Sequence, residues 1–216
     1  MTQGVQLAID ASAGPASVSL FIDGVLRDAR RIDRQGSAEL LAPTIAAMMR
    51  DASLKPAALT EVIVGAGPGS FTGLRVAAAL GKGLVRGAGA RLSAVASLPL
   101  IAAADNDGAP GIFLCVLDAL RGEWFVQAVT RHSDGLWSVG AAFERIGIQA
   151  VHERATALGA RIVGPPVDVQ QQPDARAALL IGAHEVSLDA WEPDYGRLAE
   201  AQVKWEAAHA RTMPRA

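Results

Sequence analysis

The most constraining feature of this sequence is an order of strands and turns that occurs in both halves of the chain. In the first half, the apolar run of residues 5–9 ends at Asp10, and the alternating run of residues 17–22 follows it. Asp23-Gly24 comes next, and this dipeptide favours the tight turn of a β-hairpin, here leading into residues 25–32. The first half therefore predicts three consecutive strands joined by short turns.

The second half repeats this order. Residues 112–117 form an apolar run that ends at Asp118, residues 123–129 form the next run, and Asp134-Gly135 marks the turn after it. Internal repetition indicates two similar structural units. The sequence therefore predicts an α/β fold of two lobes, of the actin-like (ASKHA), ribonuclease-H-like kind.

The repeat also predicts where the lobes begin and end. We expect the first lobe to span residues 1–104 and the second lobe to span residues 105–194. A helix is predicted for the tail, residues 195–216, in which Leu198 and Trp205 fall on one apolar face. Because a terminal helix with such a face tends to dock, we expect the tail to pack back on the first lobe.

Composition and charge exclude several classes of function. The net charge is −2, with 20 basic and 22 acidic residues and no basic run, which argues against independent binding of nucleic acid. The longest apolar stretch, residues 94–104, is too short to span a membrane, and no signal peptide is evident. The four histidines are far apart and Cys115 is the single cysteine, so we predict no metal site, no resident cofactor and a cytoplasmic location.

A glycine-rich segment is the strongest local signal. Residues 65–73 follow the predicted strand 60–64 and precede a predicted helix over 74–86. Free backbone N–H groups at the start of a helix favour an anion. The segment and the end of the first strand therefore predict a nucleotide or anion site, with contacts at Asp10, Ser12, Gly67, Gly69, Ser70, Thr72, Gly73 and Arg75.

The same segment has an alternative interpretation. It lacks the Gly-Lys-Ser/Thr ending of a Walker A loop, and Ser70 stands where a Gly-x-Gly-x-x-Gly loop has its last glycine. The segment then serves as a tight strand-to-helix connection that is capped by Ser70 or Thr72. The sequence leaves both interpretations open.

Asp10 and Asp118 stand at equivalent positions in the two halves. One interpretation is that the two carboxylates together hold a metal–nucleotide complex between the lobes, as in an independent actin-like ATPase or a sugar-kinase-like enzyme. The alternative is that each carboxylate caps its own turn. Asp118 is followed by Ala-Leu-Arg-Gly, which is a poor phosphate loop, so the sequence disfavours independent ATP hydrolysis.

The helix predicted over 74–86 carries two apolar stripes. One stripe contains Leu74, Ala77, Ala78, Gly81 and Val85, and the opposite stripe contains Val76, Ala79, Leu80 and Gly83. A surface helix needs one apolar face, so two stripes predict burial against the sheet on one side and against a partner on the other. The sequence does not decide which stripe lies on which side; we favour the stripe of Gly83 as the partner side, because the other stripe has the longer apolar line.

The helix predicted over 37–50 is also apolar around most of its circumference. The same argument predicts that part of its surface contacts a partner. We assign Leu41, Ile45 and Met48 to that contact.

Several strings of this sequence resemble the TsaB (YeaZ) family. The long glycine-rich string is the most specific of them. The strings are Ala8-Ile-Asp-Ala-Ser12, Gly67-Pro-Gly-Ser-Phe-Thr-Gly-Leu-Arg75, Ser97-Leu98, Asp118-Ala119 with Gly122-Glu123, and Pro193-Asp-Tyr-Gly-Arg197.

The resemblance implies a small, non-catalytic member of the actin-like fold. Its function would be to act as partner or scaffold of TsaD, the metal- and nucleotide-using transferase that forms N6-threonylcarbamoyladenosine at position 37 of ANN-decoding tRNAs. The ATPase TsaE would join the larger complex, which alone would hold ATP or ADP with Mg and contact tRNA. Pairing with TsaD, or with a second copy when alone, would use the first two helices.

Overall fold

The computed structural model describes residues 4–33, 37–104, 108–168 and 170–196 of the 216-residue chain. The predicted tail helix lies outside the described residues, apart from its first two positions. The strands of the described part are β1 (Val5–Asp10), β2 (Ala16–Ile22), β3 (Val25–Ile32), β4 (Leu59–Gly65), β5 (Arg91–Val95), β6 (Gly111–Asp118), β7 (Glu123–Arg131), β8 (Trp137–Val139), β9 (Glu144–Gly147), β10 (Arg161–Val163) and β11 (His184–Glu185). The α-helices are α1 (Ser37–Asp51), α2 (Phe71–Ala88), α3 (Ser97–Ala104), α4 (Ile148–Leu158) and α5 (Ala178–Ile181).

The strands form two sheets with the same central topology. The first sheet has the order β3-β2-β1-β4-β5-β11, and the second has the order β8-β7-β6-β10, with β9 pairing to β7. β1 is antiparallel to β2 and parallel to β4, and β6 is likewise antiparallel to β7 and parallel to β10. The repeated order of strands and turns therefore corresponds to a repeated topology, and the predicted mixed α/β fold with two related sheets is confirmed.

Helices cover both faces of the first sheet. The apolar side chains of α1 and α2 pack on one face, where they share a core with β1, β2 and β4. The short 3₁₀ helix Ala175–Ala177 and parts of α3 and α5 pack on the other face. α4 covers the outer face of the second sheet through Val151 and Ala155.

α3 lies between the two sheets. Leu98 and Ile101 pack against Phe113, Cys115 and neighbouring side chains of the second sheet. Leu100 and Ala103 of the same helix pack against the first sheet. A helix that is apolar all round is buried all round, and α3 therefore contributes to the cores of both lobes, as does Trp137 of β8.

The path of the chain departs from the predicted division into lobes. The expected boundary after residue 104 falls between α3 and β6. However, β11 pairs with β5 of the first sheet, His184 opposite Ala94 and Glu185 opposite Ser93. The second lobe predicted over 105–194 is therefore too long, because its last part returns to the first sheet and covers the edge of β5.

Candidate functional site

Asp10, the last residue of β1, is almost completely buried, with 2% of its surface exposed. Its Oδ1 accepts hydrogen bonds from the Ser12 backbone N–H at 3.0 Å and from Ser12 Oγ at 2.7 Å. Its Oδ2 accepts a hydrogen bond from Ser97 Oγ at 2.6 Å. Both carboxylate oxygens are thus used by groups of the chain itself.

The environment of Asp10 opposes its ionisation. Burial raises the pKa of this carboxyl above its ordinary value of 3.8, and the hydrogen bonds from Ser12 and Ser97 act in the opposite direction. A buried carboxylate that is not paired with a cation lowers stability in its charged form. The three hydrogen bonds offset part of that cost.

The glycine-rich segment is hydrogen-bonded to the cluster that Asp10 forms with Ser12 and Ser97. The Gly67 N–H donates to Ser97 Oγ at 3.1 Å, and the Ser97 N–H donates to the Gly67 carbonyl oxygen at the same distance. The Ser70 N–H donates to the Ser12 carbonyl oxygen at 2.6 Å. The turn after β1, the glycine-rich segment and the start of α3 therefore meet at Asp10.

The glycines in this segment allow backbones to approach closely. A Cβ at Gly69, whose φ is +154°, would collide with the carbonyl oxygen of Ser12. A Cβ at Gly73 would collide with the carbonyl oxygen of Ala11. The glycine pattern that suggests an anion site is thus required by the contact between two loops of the chain.

This packing does not fit a nucleotide phosphate between the turn after β1 and the glycine-rich segment. The backbones of the two loops fill the space between them, and the oxygens of Asp10 already have donors. Ser70 caps α2, its Oγ accepting from the Gly73 N–H at 3.2 Å. The structure therefore favours the tight strand-to-helix connection, with Ser70 as the capping residue.

The predicted contact residues do not all meet. Asp10, Ser12, Gly67, Gly69, Ser70 and Gly73 come together as described, but they bind one another. Thr72 and Arg75 lie on the surface of α2 instead, with the Arg75 guanidinium 5.3 Å from the centre of the Phe71 ring. Ser97 also belongs to the cluster; the sequence singled it out only within the Ser97-Leu98 string, because nothing near it marks it as a hydrogen-bond partner of Asp10.

Asp118 differs from Asp10 although it ends the equivalent strand. Its side chain is exposed, and its Oδ1 accepts from the Leu120 N–H of its own turn at 2.7 Å. The interpretation in which this carboxylate caps its own turn is confirmed. The described residues also contain no group of three His, Cys, Asp or Glu side chains that could hold a metal ion.

The two stripes of α2 occupy opposite surroundings. Leu74, Ala77, Ala78, Gly81 and Val85 are buried against the first sheet. On the other side, Ala79 and Gly83 are exposed, whereas Val76 and Leu80 are half-buried and pack in part against the same core. The stripe of Gly81 therefore faces the sheet and the stripe of Gly83 faces outward, and the contact of the latter with a partner stays a prediction. We call Val76, Ala79, Leu80 and Gly83 the outer face of α2.

The prediction for α1 is wrong for its three named residues. Leu41, Ile45 and Met48 are 1%, 3% and 0% exposed, and they pack in the core under α1. Their spacing of four and three residues defines one helix face, and that face covers β2 and β3. They therefore do not contribute to a partner surface.

A second segment lies along α2. Residues 189–195, which we call the strap, pair with the basic side of the helix: Asp189 with Arg86 at 2.7 Å and Glu192 with Lys82 at 3.1 Å. At the start of α2, the Tyr195 ring lies 4.6 Å from the Phe71 ring. The strap borders the outer face of α2, and sequence reasoning missed it because its contacts are distant in the chain.

Comparison with known proteins identifies the family. Residues 31–164, more than half of the chain, match the family model described as "TsaD: tRNA N6-adenosine threonylcarbamoyltransferase". The chain belongs to this family.

Two curated proteins similar to this chain are TsaB proteins. The chain is 27% identical over 190 residues to the tRNA threonylcarbamoyladenosine biosynthesis protein TsaB of Escherichia coli, covering 86% of this chain and 82% of that protein. It is 24% identical over 223 residues to TsaB of Bacillus subtilis, covering 92% and 96%. The predicted resemblance to the TsaB (YeaZ) family is confirmed.

The fold also agrees with that of a solved relative. YeaZ from Pseudomonas aeruginosa superposes with a TM-score of 0.71 at 20% identity, covering 89% of this chain and all of that chain. This likeness shows that the chain shares the fold of that protein. Among the helices of the described residues, none is both long and apolar enough to cross a membrane.

Proposed function

We propose that this chain takes part in the formation of N6-threonylcarbamoyladenosine in tRNA as a non-catalytic partner of a TsaD-type transferase. The names of its relatives support the pathway. One observation of this molecule carries the partner role: α2 has two apolar faces, and the first sheet covers one of them. The transferase binds the outer face of α2.

The outer face has the shape that helix-to-helix contact requires. Ala79 and Gly83 are small, and the position of a Cβ at Gly83 has no heavy atom within 4 Å, so another backbone can approach closely. Val76 and Leu80 are half-buried beside them, packed in part against the core that α1 and α2 share, and their remaining exposed surface adds to the apolar face. Such a face fits one helix of a partner, packed along α2.

The strap limits how that helix can lie. Its ion pairs with Lys82 and Arg86 occupy the basic side of α2 and leave the outer face open beside it. The acidic side chains of Asp189 and Glu192 are largely exposed. A partner helix that lies next to the strap is therefore expected to present basic or neutral residues to it.

In this proposal the chain does not catalyse a reaction by itself. The oxygens of Asp10 are engaged, and the glycine-rich segment is filled by the backbone of the neighbouring turn. In this proposal ATP or ADP and Mg belong to the assembled complex with TsaD and TsaE, and tRNA is reached through that complex. The net charge of −2 agrees with weak binding of tRNA by the chain alone.

Reconstitution of tRNA modification tests the proposal. The assay combines TsaD, TsaE and the enzyme that supplies threonylcarbamoyl-adenylate from the same organism, with and without this chain. We expect modification to fall to background when the chain is omitted, and the chain alone to hydrolyse ATP no faster than a blank. Undiminished modification without the chain would contradict the partner role, and Mg-dependent hydrolysis by the chain that Asp10→Ala abolishes would restore the ATPase alternative.

A further inference from the structure

Asp10 connects the interior of the first lobe to the start of α2 by two routes. One route runs through Ser12, whose carbonyl oxygen accepts from the Ser70 N–H, and Ser70 caps the helix. The other runs through Ser97 Oγ, which donates to Asp10 and accepts from the Gly67 N–H. Each route reaches the segment that leads into α2 through one intervening residue, by the backbone carbonyl of Ser12 or the hydroxyl of Ser97.

We propose that Asp10 is a positioning residue. Its carboxylate holds the glycine-rich segment in place through these hydrogen bonds, and so fixes the position of the first turn of α2, which directly precedes the outer face. This inference rests on the proposed function, because the surface that it positions is the outer face of α2. That face begins at Val76, within the second turn of the helix. A displaced first turn therefore shifts the near end of the contact.

The chemistry of the cluster explains why a carboxylate is needed there. Two oxygens accept from three donors: the Ser12 N–H, Ser12 Oγ and Ser97 Oγ. An amide of the same shape has one acceptor oxygen, and its NH₂ group would face the Ser97 hydroxyl that now donates. Asp10→Asn keeps the volume and removes the buried charge, but it cannot keep the same pattern of hydrogen bonds.

The same sheet offers a matched control. Glu61 of β4 is also a buried carboxylate, and it accepts from Ser93 Oγ at 2.6 Å and from Gln6 Nε2 at 2.9 Å. Unlike Asp10, it also pairs with a guanidinium, that of Arg91, at 3.4 Å. These partners lie on β5 and β1, at the opposite end of the strands from Asp10. Glu61→Gln therefore perturbs another buried acid, one whose hydrogen bonds do not reach the glycine-rich segment.

The experiment compares the parent, Asp10→Asn, Ser97→Ala and Glu61→Gln by two measurements. The first is the affinity for TsaD, by titration calorimetry, with a thermal melt of each variant. The second is hydrogen exchange of the amides in residues 71–75 of the unbound chain. We expect Asp10→Asn and Ser97→Ala to speed exchange there and to weaken TsaD binding, about tenfold for Asp10→Asn, as for one charge-assisted hydrogen bond. We expect Glu61→Gln to bind as the parent does.

The two measurements separate the inference from the proposed function. If the parent does not bind TsaD, the proposed function fails, and faster exchange in Asp10→Asn still supports the positioning role of Asp10. If Asp10→Asn and Ser97→Ala keep parental exchange and affinity, the positioning role is overturned. It is also overturned if Glu61→Gln speeds exchange and weakens binding as much as they do. If Asp10→Asn does not fold, Ser97→Ala decides by the same criteria.

Discussion

Gly81 and Gly83 lie two residues apart on α2 in opposite surroundings. A Cβ at Gly81 would lie 2.5 Å from Cγ2 of Val64 on β4, whereas a Cβ at Gly83 would have no heavy atom within 4 Å. The residue type and the helix are the same, so the difference is what packs against each side. At Gly81 the missing side chain lets the helix approach the sheet, and at Gly83 it leaves room for something outside the chain.

The largest effect is expected from a charge on the sheet side. Gly81→Arg should prevent folding or lower the free energy of unfolding by several kcal/mol, because an unpaired charge would be buried against Val64. Gly83→Arg should melt near the parental temperature, since its side chain reaches solvent. Thermal melts by circular dichroism check both variants, and equal melting temperatures would remove the distinction between the two sides.

A smaller change at the same two positions should give opposite signs. Gly81→Ala should destabilise the fold by about 1–3 kcal/mol, because the β-branched Val64 cannot yield easily to the added methyl group. Gly83→Ala should stabilise it by about 0.5–1 kcal/mol, because alanine has the higher helix propensity and the space is open. Urea denaturation measures both, and a loss of stability in Gly83→Ala would show that the outer face is packed within the free chain.

The smallest effect is expected in the pH dependence of stability that Asp10 causes at the start of α2. Burial raises the pKa of Asp10 in the folded chain above its ordinary 3.8, so the folded state binds this proton more tightly than the unfolded state does. The cost of the charge is absent below pH 3.8 and grows as the pH rises through the folded pKa. The melting temperature of Asp10→Asn relative to the parent should therefore increase from acidic to neutral pH, and a constant difference would contradict the assigned burial.

The elements that the sequence predicted well are those with local signals. The alternation in residues 17–22, the Asp23-Gly24 turn and the helix over residues 37–50 correspond closely to β2, the β2–β3 hairpin and α1. The burial of Leu41, Ile45 and Met48 was misjudged because a helix that is apolar on several sides does not show which side meets the sheet.

The parts that could not be predicted depend on distant contacts. α3 is short, contains Pro99 and is apolar on every side, so it lacks the periodicity that marks a surface helix. β11 has two residues and exists through its pairing with β5. In the candidate site, the sequence shows the glycines but not why they are required. A Cβ there would collide with the carbonyl oxygens of Ala11 and Ser12, which lie more than fifty residues earlier in the chain.

The most direct test of the central claim is capture of TsaD by Gly83→Arg. The matched control is Gly147→Arg, the same change at an exposed glycine of the second lobe with open space around its Cβ position. We expect both variants to melt near the parental temperature, Gly147→Arg to bind TsaD with parental affinity, and Gly83→Arg to show no measurable binding by calorimetry. Parental affinity in a folded Gly83→Arg variant would contradict the assignment of the outer face of α2 as the partner surface.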